Sequence, residues 1–161
     1  MRLLTILLLT KICISAYGQT LTGKYNTYYG CRLELKTDST FKHEWHFDLA
    51  SSWAVGQWSI SNGIVYLNFK NVFDTLVREN NSDSLVLSSD ETSNRIGETE
   101  FLGYLLSGGR QLLHSDNGLT NRLAIRRNRL YLFDPHGQLK RKKESTIGTK
   151  KKRPTYYFKS G

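Results

Sequence analysis

The stretch CRLELKTDSTFKHEWHF, residues 31–47, decides the fold, because apolar and polar residues alternate on both sides of a short polar turn. Alternation with a period of two is typical of β-strands, and Thr37-Asp38-Ser39 is a turn between two such strands. One antiparallel register suits both faces of the hairpin. On the mainly apolar face it places Leu35 opposite Phe41, Leu33 opposite His43 and Cys31 opposite Trp45. On the other face it places Glu34 opposite Lys42 and Arg32 opposite Glu44. A slip of one residue would bring the apolar side chains to solvent, so the sequence predicts this register and two opposite-charge pairs.

A second hairpin is predicted over residues 53–70, where Asn62-Gly63 supplies the two positions of positive φ that a tight hairpin turn needs. Its register pairs Ile60 with Val65, Trp58 with Leu67 and Gly56 with Phe69. Further strands are predicted at Ser84–Leu87, Leu119–Ile125, Arg129–Phe133 and Tyr156–Phe158, with turns at Asn117-Gly118 and Asp134–Gly137. The periodicity of Glu98–Leu106 fits a strand or a helix.

The spacing of these strands predicts an all-β fold. Strands recur about every ten residues, only two prolines occur, and no long helical periodicity is present. We therefore predict an antiparallel β-barrel, closed or partly open, or a sandwich, formed by a single domain over residues 19–161. A basic hairpin near the C-terminus is predicted to project past the rim of the barrel and to return to the sheet.

The N-terminus has the pattern of a cleavable secretory signal over residues 1–18. One basic residue precedes a short apolar run, and Ala16 and Gly18 supply the small residues expected before a cleavage site. Lys11 interrupts the run, which argues against an uncleaved membrane anchor. We expect an exported protein, periplasmic or extracellular, without a transmembrane segment after cleavage. Cys31 is then the single cysteine, expected as a buried hydrophobe rather than a reactive thiol.

The positive charge is confined to the end of the chain. Residues 19–138 contain 12 Lys and Arg against 13 Asp and Glu, whereas residues 139–161 contain 9 Lys and Arg against one Glu. The predicted basic hairpin carries eight of these cations, which are Lys140, Arg141, Lys142, Lys143, Lys150, Lys151, Lys152 and Arg153. Such a segment either binds an anionic partner or is a solvated loop that maintains solubility, and both interpretations remain open.

A series of short motifs resembles small bacterial lipocalin-like secreted proteins of the calycin type. The motifs are Gly23-Lys24-Tyr25, Leu33-Glu34-Leu35, Asp38-Ser39-Thr40-Phe41, Gly56-Gln57-Trp58 and Gly63-Ile64-Val65-Tyr66-Leu67. Together they cover residues 23–69. The resemblance implies an antiparallel barrel, often with a central cavity, and no catalytic residue.

The common catalytic and cofactor motifs are missing from the sequence. There is no nucleophile elbow, no glycine-rich nucleotide loop and no C-x-x-C pair, so we expect neither enzymatic activity nor a cofactor. His43 and His46 are separated by three positions on a strand and point to opposite faces, so we expect no metal site. His43 should be a hydrogen-bonded core histidine, or less favourably a ligand contact.

Two functional hypotheses follow. The first is a non-enzymatic protein that holds an apolar or amphipathic small molecule in the barrel, lined by Phe41, His43, Trp45, Phe47, Trp58 and Phe69, although a solid core would use the same aromatic residues. The second is an interaction module that uses the basic hairpin, residues 139–153, to bind a membrane surface, lipopolysaccharide or nucleic acid.

Overall fold

Both predicted hairpins are present, with the predicted register, in the computed structural model of the protein. The structure describes residues 21–79, 82–113, 120–145 and 149–160, so the predicted signal peptide and the Asn117-Gly118 turn lie outside the described residues. The elements are β1 (Gly23–Asn26), β2 (Cys31–Leu35), β3 (Thr40–Phe47), β4 (Ala50–Ser61), β5 (Ile64–Lys70), β6 (Phe73–Leu76), β7 (Ser84–Leu87), β8 (Arg95–Ile96), α1 (Glu98–Leu106), β9 (Gly109–Gln111), β10 (Arg122–Arg126), β11 (Arg129–Tyr131), β12 (Glu144–Ser145), β13 (Lys152–Arg153) and β14 (Tyr157–Lys159).

Eight of these strands form a closed antiparallel barrel. Around the barrel the order is β1, β14, β11, β10, β5, β4, β3 and β2, and β2 pairs with β1 to complete the ring. Closure gives every barrel strand a paired neighbour on both sides, so the ring has no free edge strand. The prediction of an antiparallel barrel is confirmed. The closed form is one of the alternatives that the sequence leaves open.

The remaining strands lie outside this ring. Strand β9 runs parallel to β4 and pairs with Ser51–Trp53, beyond the point where β5 ends its pairing with β4. Strands β6, β7 and β8 form a separate small sheet, in which Ser84–Leu87 is a strand as predicted. Among the described residues, no helix is long and apolar enough to cross a bilayer.

Residues Glu98–Leu106, for which the sequence allows a strand or a helix, form the helix α1. Glu98 and Glu100 lie in its first turn, where carboxylates interact favourably with the helix dipole. None of its residues is buried. The weak periodicity in the sequence reflects this position on the surface, because no apolar face has to be covered.

Turn chemistry explains the tight hairpins. Asn62 and Gly63 have φ values of 51° and 73°, as a two-residue hairpin turn requires. At the predicted turn after β11, the backbone amide of Gly137 donates to the carbonyl of Asp134 at 2.9 Å. Strand β10 is shorter than predicted and begins at Arg122.

The core fills one end of the barrel. Its buried side chains are Tyr25, Leu33, Leu35, Phe41, Trp58, Val65, Leu67, Leu123, Leu130 and Tyr157, with Phe69 packed against them. Phe41 and Phe69 meet edge to face with ring centroids 5.3 Å apart. Gly56 permits this packing, since a Cβ atom at this position would lie 2.8 Å from Phe41 and 2.0 Å from the Asn68 carbonyl oxygen.

The two opposite-charge pairs predicted in the first hairpin lie opposite each other in the observed register, but Lys42 forms its ion pairs with other residues. Lys42 binds Glu44 on its own strand at 2.8 Å and also Glu91 from the polar segment after β7. None of the ion pairs formed by described residues joins Arg32 to Glu44 or Glu34 to Lys42. The sequence could not show this, because the approach of Glu91 depends on the path of a distant segment.

The C-terminal segment forms the predicted hairpin and returns to the barrel. Glu144 pairs with Arg153 and Ser145 with Lys152 in β12 and β13. Strand β14 then inserts between β1 and β11, where Tyr25 pairs with Lys159 and Leu130 with Tyr157. We refer to the described residues 139–145 and 149–156 as the C-terminal arm.

Candidate functional site

A cavity of about 320 Å³ lies at the end of the barrel opposite the packed core. We call it the mouth cavity. Five of its lining residues lie in barrel strands and are here called its inner wall: Cys31, His43, Trp45, Ser52 and Tyr157. The other lining residues are Thr27, Tyr29, Arg110, Leu112, Leu132, Lys140, Glu144 and Thr155. The cavity exists because β4 continues past β5 and pairs instead with β9, which brings Arg110 and Leu112 to the rim.

The C-terminal arm forms one side of this cavity and is attached to the turn between β1 and β2. The Tyr29 hydroxyl lies 2.8 Å from the carbonyl oxygens of both Glu144 and Arg153, so it bridges the two arm strands. The Thr155 hydroxyl donates to the Lys140 carbonyl at 3.1 Å, and the Lys140 amide donates to Leu132 at 2.9 Å. These bonds hold the arm across the mouth of the barrel.

We expect the Tyr29→Phe variant to detach the arm locally while the barrel stays folded. Loss of a hydroxyl that serves two carbonyl groups should cost about 1 kcal/mol. The arm is rich in trypsin sites, so brief digestion with trypsin should cleave the variant faster after Lys150, Lys151 and Lys152. Tyr66→Phe, which alters an exposed tyrosine on the barrel wall, is the matched control. Equal cleavage of both variants would show that Tyr29 does not hold the arm.

Three polar side chains form a chain of contacts at the bottom of the mouth cavity. The Nε2 atom of His43 lies 3.1 Å from the Tyr157 hydroxyl, and that hydroxyl also contacts the Cys31 thiol. The other ring nitrogen of His43, Nδ1, is buried and has no hydrogen-bond partner.

Burial determines the protonation of this group. Desolvation lowers the pKa of His43 from 6.5 to about 4, against the weaker favourable effect of the Glu44 carboxylate. Burial likewise raises the pKa of the Cys31 thiol, which hydrogen bonds with Thr27 and Tyr157 offset only in part. The pKa of Tyr157 is raised well above 10.0, again mainly by burial. All three groups are therefore uncharged at neutral pH.

The rim carries charge. Lys140 and Glu144 form an ion pair at 3.0 Å, so their charges largely cancel. Arg110 is exposed and has no ion-pair partner among the described residues. The mouth cavity thus combines a mainly apolar wall, an uncharged polar floor and one uncompensated cation at its opening.

The structure separates the six candidate lining residues into three groups. His43 and Trp45 line the mouth cavity, and the Trp45 Nε1 donates to the Tyr29 carbonyl at 3.0 Å. Phe41, Trp58 and Phe69 lie at the packed end. Phe47 stacks on Trp45 at the end of β3 but is 44% exposed. Sequence reasoning missed Tyr157, Leu132 and Arg110, because only the closed ring and β9 bring them to the mouth.

The eight cations proposed for the basic hairpin are not equivalent. Lys140 is paired with Glu144, and the Arg153 guanidinium lies over the Tyr28 ring at 5.1 Å. Arg141, Lys142, Lys143, Lys150, Lys151 and Lys152 are exposed. Six of the eight predicted cations are therefore available to a partner.

Comparison with known protein families, with curated proteins and with solved structures finds no match. The fold supports the resemblance of residues 23–69 to lipocalin-like proteins only as far as the closed barrel itself. Within the described part of the chain, no group of three or more His, Cys, Asp or Glu residues is arranged to hold a metal ion.

Proposed function

We propose that the protein is an exported, lipocalin-like binding protein that holds a small amphipathic molecule with an acidic group in the mouth cavity. The observation that carries this proposal is the combination of a mainly apolar cavity with the uncompensated charge of Arg110 at its rim. Small-molecule sites are concave, mostly apolar and equipped with a few placed polar groups.

The apolar part of the ligand would contact Trp45, Leu112 and Leu132. A volume of about 320 Å³ is at the lower end of the range of small-molecule sites, which span roughly 300–1,000 Å³. The ligand is therefore a compact molecule, such as a medium-chain fatty acid or an aromatic acid, and not a large lipid.

The charge at the rim favours an acidic group on the ligand. Arg110 at the opening would attract the negative charge, and its guanidinium can bind a carboxylate through two parallel hydrogen bonds.

The same geometry speaks for binding and against nucleophilic catalysis. A reactive cysteine needs a lowered pKa and a neighbouring base. Burial raises the pKa of Cys31, and the Tyr157 hydroxyl stands between the thiol and His43. We therefore assign the three polar groups of the floor to ligand binding.

Titration with the fluorescent probe 1-anilinonaphthalene-8-sulfonate tests the mouth cavity. We expect its emission to rise on binding, and decanoate to displace it more strongly than decanol. Ser52 lies on the inner wall, so Ser52→Leu should fill part of the cavity and weaken probe binding at least tenfold. Arg110→Gln should weaken decanoate several-fold and leave decanol unchanged.

The matched control is Arg95→Gln, which removes a cation paired with Asp83 on the small outer sheet. It should leave both ligands unaffected. Thermal unfolding must show that the Ser52→Leu variant is folded. The proposal would be contradicted if the parent protein did not increase the emission of the probe, or if a folded Ser52→Leu variant bound the probe as well as the parent.

A second candidate function is binding of an anionic partner through the C-terminal arm. Residues 139–161 carry nine cations and one carboxylate, and Arg141, Lys142 and Lys143 are exposed. Arg126, Arg127 and Arg129 lie beside the arm, and their charge supports this candidate.

A further inference from the structure

A basic groove of about 580 Å³ runs along the outer wall of the barrel, between the turn joining β10 to β11 and the C-terminal arm. Five cations line it: Arg126, Arg127 and Arg129 from the hairpin, and Arg141 and Lys143 from the arm. None of the ion pairs formed by described residues involves them. We infer that this groove is a binding site for a linear acidic polysaccharide.

The groove is distinct from the mouth cavity because neighbouring residues of the arm, and of its junction with β14, face opposite sides. Lys140, Thr155 and Tyr157 face the mouth cavity. Arg141, Pro154 and Tyr156 face the groove. The arm is therefore a wall shared by two sites, and the groove can bind a ligand whether or not the mouth cavity is occupied.

In the turn between β10 and β11, turn chemistry explains Asn128 but not Arg127. Arg127 and Asn128 have φ values of 47° and 58°, a conformation that favours Asn and Gly. Arginine at the first of these positions is unfavourable for the backbone. Its side chain, however, adds a cation to the groove, so a charge requirement accounts for the residue where the fold does not.

The arginine content and the concave shape of the groove favour one class of ligand. Four of the five cations are arginines, whose planar guanidinium groups bind carboxylates and sulfates through paired hydrogen bonds. A concave site admits a single extended chain more readily than the flat surface of a membrane.

The tyrosine rings of the groove argue against nucleic acid. Tyr131 and Tyr156 pack together with ring centroids 5.0 Å apart, and the Arg129 guanidinium lies over Tyr156 at 4.6 Å. Proteins that bind single strands offer free ring faces on which bases stack. Here the ring faces are partly covered by each other and by Arg129.

The experiment compares two variants with the same change in net charge. The groove variant is Arg126→Gln, Arg127→Asn and Arg129→Gln, in which Asn preserves the turn. The control variant is Lys150→Gln, Lys151→Gln and Lys152→Gln, exposed residues that do not line the groove. The ligands are a heparin octasaccharide, a galacturonate oligomer and an oligothymidylate of equal charge.

We expect the parent to bind both saccharides with an affinity that falls as salt is added. The groove variant should lose at least tenfold in affinity, and the control variant at most threefold. Equal losses would mean that the net charge of the molecule, and not the groove, attracts the ligand. Tighter binding of the oligothymidylate than of both saccharides, or no binding by the parent at low salt, would overturn the inference. Probe binding in the mouth cavity should be the same for both variants.

Discussion

Replacing Trp58 with alanine should lower the free energy of unfolding by about 3–5 kcal/mol, as other large aromatic truncations in protein cores do. Trp58 is 8% exposed and belongs to the core cluster at the packed end of the barrel. Its indole Nε1 donates to the Lys36 carbonyl at 3.0 Å, so truncation also removes one of the two donors to that carbonyl, the other being the Ser39 amide at 3.2 Å. Cavity formation and a lost hydrogen bond therefore act in the same direction.

Equilibrium denaturation in guanidinium chloride measures this loss. Trp53→Ala is the matched control, because Trp53 is half-buried and its indole Nε1 donates to Ser89 outside the barrel. The control should lose less than half as much stability as Trp58→Ala. A Trp58→Ala variant that loses less than about 1 kcal/mol would contradict the placement of this ring in the core.

Acidification should destabilise the protein through His43. This imidazole is 2% exposed, and burial lowers its pKa from 6.5 to about 4. Between these two values the unfolded chain binds a proton that the folded protein excludes, so stability falls as the pH falls through this window. One pKa unit corresponds to about 1.4 kcal/mol, and the contribution lost between pH 7 and pH 4.5 is about 2 kcal/mol.

A comparison of three proteins at two pH values separates the contribution of His43 to stability from that of the carboxylates. Unfolding is measured at pH 7 and pH 4.5 for the parent, for His43→Gln and for His46→Gln, whose side chain is exposed on the opposite face of β3. The parent and His46→Gln should lose about 2 kcal/mol more than His43→Gln over this interval. The same loss in all three proteins would show that His43 does not titrate with a lowered pKa.

Local patterns made the hairpins predictable. In β2 and β3 the alternation of Cys31, Leu33 and Leu35 with polar residues leaves one sensible register, and Asn62-Gly63 determines the other turn. These signals depend on neighbours in sequence and on backbone geometry, so they can be recognised without knowledge of the tertiary contacts. The registers are accordingly correct at every predicted pair.

The mouth cavity depends on long-range contacts and was not predictable in detail. The prediction treated one face of β3 as a continuous lining, but Phe41 is enclosed by the closed ring, whereas Trp45 lies where β9 and the arm hold the walls apart. Phe47 extends beyond the rim. Strands that are distant in sequence determine the point along β3 at which the inward side chains stop packing in the core and begin to line the cavity.

A charge count over a long segment of sequence does not reveal the basic groove. Residues 19–138 hold nearly equal numbers of cations and carboxylates, so this count does not single out Arg126, Arg127 and Arg129. The fold places these three side chains beside Arg141 and Lys143. A charge count over a window the length of one hairpin would have found the first half of the groove, but not its second half.

The position of β14 has a consequence for how the chain folds. Strand β14 lies between β1 and β11, so the ring cannot close before Tyr157–Lys159 has been synthesised and has reached a strand more than a hundred residues away. Until then β1 and β11 expose unpaired backbone groups along their edges, and such edges invite association between chains. Contacts of such long sequence separation form slowly. Ribosome-bound or truncated chains lacking the final strand should therefore be the aggregation-prone species of this protein.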